Sequence, residues 1–191
     1  MITYNDFMKH AAVVTKNASE QRPVLKGIKH YEDGRLAVTD SHRLYIANGV
    51  HSRTDGAVLN PTGKLVEGRY PEVDRLLPYN EPKQEIRMNV KDLYKIADIM
   101  YSIGKLVTKI PLIDLTEDVI LFDSNEVQIA IKQDIKFEVP LLLNAKYLFD
   151  AVKLFQAADC ETITLKIYSG VRPILLEGAN LQVIILPVRR Y

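Results

Sequence analysis

The chain has 191 residues, 47% of them apolar and 26% charged, a size and balance that fit one large or two small soluble globular domains. It holds no run of eighteen apolar residues, and its start, Met1-Ile2-Thr3-Tyr4-Asn5-Asp6, has neither the cationic nor the apolar stretch of a signal peptide; the expectation is a cytoplasmic protein with no membrane span. The single Cys160 excludes an internal disulfide and a cysteine metal cluster. A net charge of +1 gives no bulk basic excess, with eleven basic and ten acidic residues in 1–82 and fourteen of each in 83–191.

Tyr4, Phe7, Met8 and Ala11 follow helical spacing and predict an amphipathic helix over residues 3–16, with Lys9 and Lys16 one heptad apart on its other side. Arg22-Pro23 ends it. Apolar runs in 24–29 and 36–47, separated by Glu32-Asp33-Gly34, predict an antiparallel hairpin. Residues 48–63 are rich in turn formers and read as loop around one short strand at 57–59. Two prolines in 78–83 suit a connector, which puts a domain boundary near residue 80.

Val90, Leu93, Tyr94, Ala97, Met100 and Tyr101 then repeat the helical spacing, with Lys91, Lys95 and Lys105 off the apolar stripe, so the second half opens like the first. Short strands are expected at 111–115, 119–122 and 127–131, broken at Thr116-Glu117-Asp118 and Asp123-Ser124-Asn125. Asn144 is a fitting N-cap for a third helix with Leu148, Ala151, Val152 and Phe155 on its buried face and Lys146, Asp150 and Lys153 outside. Strands at 163–168, 174–177 and 182–188 complete an α+β layout of antiparallel sheets with helices on one face. The division is an abridged domain at 1–80 and a fuller one at 84–191.

Asp40 and His42 are the residue types of an acid–base pair. In a strand they share a face that Arg43 does not, and the sequence has no HExxH, GxSxG, P-loop or glycine-rich fingerprint to supply a nucleophile, metal or phosphate cradle. No catalytic residue, metal or cofactor is expected, and a hydrolase or nuclease built on Asp40 and His42 is disfavoured.

Three segments carry more information together: Thr39-Asp40-Ser41-His42-Arg43-Leu44, the run from Gly68-Arg69-Tyr70-Pro71 to Leu76-Leu77-Pro78, and the terminal Ile184-Ile185-Leu186-Pro187-Val188-Arg189. In this order they resemble the bacterial DNA polymerase III beta subunit, the beta sliding clamp, through its TDGHRL-like strand, its GR(F/Y)P run and its closing P-(M/V)-R. The resemblance implies a DNA-clamp-like fold and a non-catalytic processivity factor of DNA replication. It implies a groove for clamp-binding peptides, at Leu25, Thr39, His42, Arg43, Leu44, Pro78, Ile184, Leu186, Pro187, Val188 and Arg189. It also implies non-specific contacts to double-stranded DNA from Lys9, Lys16, Arg22, Lys91, Lys95, Lys105, Lys146 and Lys153. Near-neutral net charge does not oppose this, because a ring needs positive charge only on its inner wall.

The partners implied are a DNA polymerase, a clamp loader or other proteins with a clamp-binding peptide and, for a closed ring, further copies of the chain, since three copies of a two-domain chain would supply six domains. The sequence departs from the family at Ser41 for Gly, at Tyr45 for a small residue, and in ending Arg190-Tyr191. The twenty residues 50–69 are also too short for half a clamp domain. That shortfall favours an alternative, a monomeric peptide-binding adaptor or decoy that keeps the groove and does not encircle DNA.

Overall fold

The computed structural model describes residues 1–124 and 126–189. Helix α1 (Tyr4–Lys16) starts where the Thr3 hydroxyl accepts from the Asp6 amide, and Asp6 lies favourably in its positive first turn. A 3-10 turn (Pro23–Lys26) follows, and then β1 (Ile28–His30), β2 (Leu36–Thr39), β3 (Arg43–Ala47) and β4 (Val58–Leu59). A second 3-10 turn (Val73–Leu76) leads through the connector to β5 (Gln84–Asn89) and α2 (Val90–Val107). Next come β6 (Leu112–Asp123), β7 (Gln128–Asn144), α3 (Ala145–Ala157), β8 (Thr162–Ile167), β9 (Ile174–Gly178) and β10 (Leu181–Ile185).

Ten strands and three α-helices are present among the described residues; β5 falls in a segment where the sequence pattern gave no strand. Eight strands form one antiparallel sheet in the order β4-β1-β2-β3-β10-β9-β8-β5, and β6 and β7 form a separate long hairpin. The strands of 1–80 and of 84–191 meet where β3 pairs with β10, from Arg43 opposite Ile185 to Ala47 opposite Leu181. Period-two alternation sends Tyr45, Ala47, Leu181, Val183 and Ile185 into the main core beneath the helices. Leu44, Ile46, Leu175 and Ile184 enter a second cluster on the other face, which Leu25, Tyr70 and Val73 cover from the loops.

Three sequence expectations change. The run 36–47 is not one strand: Thr39 ends β2, Arg43 begins β3, and Asp40–His42 make the reversal between them. The Asp40 carboxylate accepts from the amides of His42 and Arg43, an Asx-type turn that residue types alone do not distinguish from a strand interior. The strands expected at 111–115 and 119–122 are one strand, bent at Glu117, which adopts φ +46° where the hairpin register slips. The third, expected at 127–131, runs on to Asn144. Asn125, placed in the turn before it, lies outside the described residues.

β5 is an edge strand whose exposed side is partly closed by a side chain. The Gln84 amide donates to the Lys136 carbonyl at 2.6 Å and accepts from the Glu138 amide at 3.0 Å, so it stands in for a strand against β7.

Ser41 sits at φ +77°, which explains why glycine suits this position in similar sequences. A left-handed backbone costs a non-glycine residue about 1–2 kcal/mol, and glycine's extra freedom in the unfolded chain offsets about half of that. Ser41→Gly is therefore expected to raise unfolding stability by about 0.5–1 kcal/mol, read as a higher urea midpoint with an unchanged denaturant slope.

Candidate peptide groove

The turn Asp40–His42 lies beside the chain as it leaves β10. The Leu186 amide donates to the His42 carbonyl at 2.9 Å, which carries the strand pairing one residue beyond Ile185. Leu44, Ile184 and Leu186 share parity on the face away from the helices, and with Thr39, Leu76 and Pro173 they line an apolar cleft of about 100 Å³. Leu44 and Ile184 form its buried floor, while Leu186 is 37% exposed at the rim. Thr39 shapes the end wall: its hydroxyl donates to the Arg43 carbonyl at 2.7 Å and accepts from the Ser41 amide.

Leu76, absent from the sequence-based set, forms the opposite rim. The segment before it is pinned at three points: Tyr70 donates its hydroxyl to the Ala37 carbonyl, Val73 is fully buried, and both Asp74 oxygens accept from Arg35. A 3-10 turn held this way presents Leu76 outward, 49% exposed. Leu76 also lines the depression beside Leu25 and the cleft beside Pro78, so it borders three adjoining clefts. A Leu-Leu-Pro run shows which residue types are present and not which one points out, so Leu76 carried no signal of its own. Pro173 comes from the 169–173 loop and was equally hidden.

The structure divides the other expected groove residues. Leu25 is buried in the cluster under the cleft and lines a neighbouring depression with Arg22 and Leu76. Pro78 lines an adjoining cleft. Val188 donates its amide to the Leu142 carbonyl at 2.7 Å, which takes Pro187, Val188 and exposed Arg189 toward the end of β7 and away from the cleft. Arg190 and Tyr191 lie outside the described residues.

The Arg43 side chain is not in the groove. It is 0% exposed and turned to the helix side, although the residue itself borders the cleft. Its Nε donates to Asp40 at 3.0 Å, its Nη1 to Asp150 on α3 at 2.6 Å and to the Tyr45 hydroxyl at 3.2 Å, and its guanidinium lies 4.6 Å from the Tyr147 ring centroid. Burial pushes against its charge, but Tyr45, Asp150 and Asp40 outweigh that and raise its pKa. Tyr45 also faces this side, so it leaves the groove unchanged; burial raises the pKa of its hydroxyl. His42 stays exposed, stacked at 6.1 Å on Tyr147. With Asp40 committed to Arg43 and two backbone amides, the acid–base pairing of Asp40 and His42 has no free carboxylate.

No protein-family model and no curated sequence matches the chain. Its structure superposes on the beta subunit of DNA polymerase from Streptococcus pyogenes with a TM-score of 0.79 at 22% identity, covering 97% of this chain and 64% of that one. This chain has the bacterial sliding-clamp fold. The Bacillus subtilis sliding clamp gives a TM-score of 0.77 at 22% identity over 98% of this chain and 63% of its own. The Helicobacter pylori beta clamp, solved bound to a DNA ligase peptide, gives 0.73 at 16% over 97% and 63%. The chain thus spans less than two thirds of these clamps.

Within this clamp fold the three helices lie on one side of the large sheet, with α3 packed against both α1 and α2. Lys9, Lys16, Lys91, Lys95, Lys105 and Lys153 are exposed on them. Lys95 pairs with Asp92 at 3.2 Å, and Lys105 and Lys153 lie over the rings of Tyr101 and Phe149. Lys146 differs: it is half-buried and held at 2.6 Å by Asp150. The pKa of His10 is lowered, by burial first and then by the nearby charges of Lys153 and Lys9, against the opposing pull of Asp6 and Asp150. Arg22 stands apart, its nearest polar partner being Ser41 at the groove-side turn.

Removing Asp150 would leave the Arg43 charge buried with Asp40 as its only carboxylate. Asp150→Ala is expected to cost about 3 kcal/mol of stability, measured by chemical denaturation; a loss below the effect of a surface substitution would show that the ion pair does not hold α3 to the sheet.

Proposed function

We propose that this protein is a non-catalytic, sliding-clamp-type accessory of DNA replication that tethers a DNA polymerase, or another protein with a clamp-binding peptide, through the apolar cleft between Leu44, Leu76 and Leu186. The observation that carries this reading is the cleft itself: an apolar floor with two part-exposed leucine rims, in a chain with the clamp fold. A short peptide seats apolar side chains in such a cleft and orients itself on nearby backbone groups. Tethering needs no chemistry at the site, because holding an enzyme near its template raises its effective concentration there.

The exposed lysines of α1, α2 and α3 would face double-stranded DNA and meet phosphates without reading bases, as sliding requires. Taking 1–80 and 84–191 as two clamp-like modules, the first abridged, three copies would supply six modules, and a head-to-tail interface closes when its rotation fits. A second reading is a monomeric adaptor or decoy that retains the groove alone; it is favoured by the abridged first module, in which no α-helix lies between β3 and β5 among the described residues.

Leu186→Asp places an unpaired charge where apolar surface must be buried. It is expected to abolish binding of a fluorescent clamp-binding peptide in anisotropy titrations while leaving the circular dichroism and melting temperature near those of the parent. Unchanged affinity would remove the site. Light scattering separates the two assemblies: a mass three times 21.7 kDa supports a ring, and a concentration-independent monomer supports the adaptor. The ring reading also requires duplex DNA affinity that falls steeply with salt.

A further inference from the structure

The connection between β3 and β4, residues 48–57, is fastened near both ends by backbone: the Val50 amide donates to the Gly34 carbonyl, and the His30 amide donates to the Ala57 carbonyl. Between those ends it is held by two histidine rings. His30, on β1, has no exposed surface, and its ring centroid lies 5.0 Å from that of His51 in the connection.

Both nitrogens of each ring meet a partner, and the partners fix the tautomers. A carbonyl can only accept, so His30 Nδ1, 3.1 Å from the Ile28 carbonyl, carries the ring proton, and Nε2 accepts from the Tyr4 hydroxyl at 3.0 Å. His51 is set the opposite way: Nε2 donates to the Arg35 carbonyl at 2.9 Å, and Nδ1 accepts from the Arg53 amide at 3.1 Å. These bonds join α1, β1, the turn before β2 and the 48–57 connection, and they require neutral rings. A second proton on His51 would set N–H against the N–H of Arg53. A second proton on His30 would bury a cation beside the other ring.

The charged groups around the pair are engaged with one another. Asp55 holds Arg53, Asp33 and Asp74 hold Arg35, and Lys29 donates to the Gly56 carbonyl from the other face of β1. Burial lowers the pKa of His30 below the usual 6.5, and His51 and Arg53 add to this against the pull of the Ile28 carbonyl and Asp55. An opened connection therefore takes up the proton more readily than a closed one. Closure is at full strength above pH 6.5 and weakens as pH falls below it.

We propose that Tyr4, His30 and His51 form an acid-released latch, which holds the 48–57 connection against α1 and β1 while both rings are neutral and frees it on proton uptake. Release uncovers Tyr4 and Val50, which pack against the main core.

Long-range nitrogen NMR at neutral pH is expected to show His30 as the Nδ1–H tautomer and His51 as the Nε2–H tautomer; the reverse at either ring overturns the latch. Amide-exchange protection across 50–57, corrected for intrinsic exchange, is expected to fall about tenfold between pH 7.5 and 5.5, the loss that one linked proton produces over one pH unit. The double variant His30→Gln/His51→Gln has amides that donate and accept but take up no proton in this range, so its protection should be equal at both pH values. His10→Gln, which removes a histidine of lowered pKa elsewhere on α1, should retain the parent's loss. A parent whose protection does not change with pH overturns the latch, as does a loss that survives in the double variant or vanishes in His10→Gln. If the double variant does not fold, the tautomers and pH profile of the parent still decide the matter.

Discussion

The ion pairs of Arg43 join the two layers on which the rest of the structure depends. A fully buried guanidinium is costly to desolvate, and here the cost is met by Asp40 in the turn, Asp150 on α3, the Tyr45 hydroxyl and the face of Tyr147. One buried Arg43 Nη2 has no hydrogen-bond partner among the described residues, so the satisfaction of the charge is incomplete. The arrangement ties the turn that builds the groove wall to the helix that carries Lys146 and Lys153. The same Asp150 that holds Arg43 also holds Lys146, so groove side and helix side meet at one carboxylate.

Around that link the sheet sorts side chains by parity. Tyr45 and Ile185 enter the main core, while Leu44 and Ile184 enter the smaller cluster whose open end is the cleft. The groove is therefore the uncovered margin of a second core, and not a separate pocket added to the fold. The 3-10 turn at Val73–Leu76 closes most of that core and leaves Leu76 at its rim, held by Tyr70, Val73 and the Asp74–Arg35 pair.

Much of this was legible in the sequence. Helical spacing located all three helices, with Asn144 capping the third, and the family-like segments located the cleft floor at Leu44 and Ile184 and its rim at Leu186. The Arg43 side chain entered the groove set through the family resemblance, although the strand reading already put it on the face opposite His42, and its Asp150 partner lies 107 residues away, beyond the reach of local pattern. Leu76 and Pro173 were missed for a related reason: which residue of an irregular segment points outward is decided by tertiary pins such as Arg35–Asp74. The bend at Glu117, which merged two expected strands, follows from hairpin register and leaves no mark in residue type.

The place of β10 in the sheet bears on how the protein is made. β10 lies between β3 and β9, so the strands from the first half of the chain cannot join those of the second until residues 181–185 have left the ribosome. Until then β3 presents an unpaired edge and the underside of Leu44 and Ile46 lacks its neighbour Ile184. The three are thereby coupled to one strand: a substitution that loosens β10 is felt at once in the main sheet, the second core and the apolar cleft.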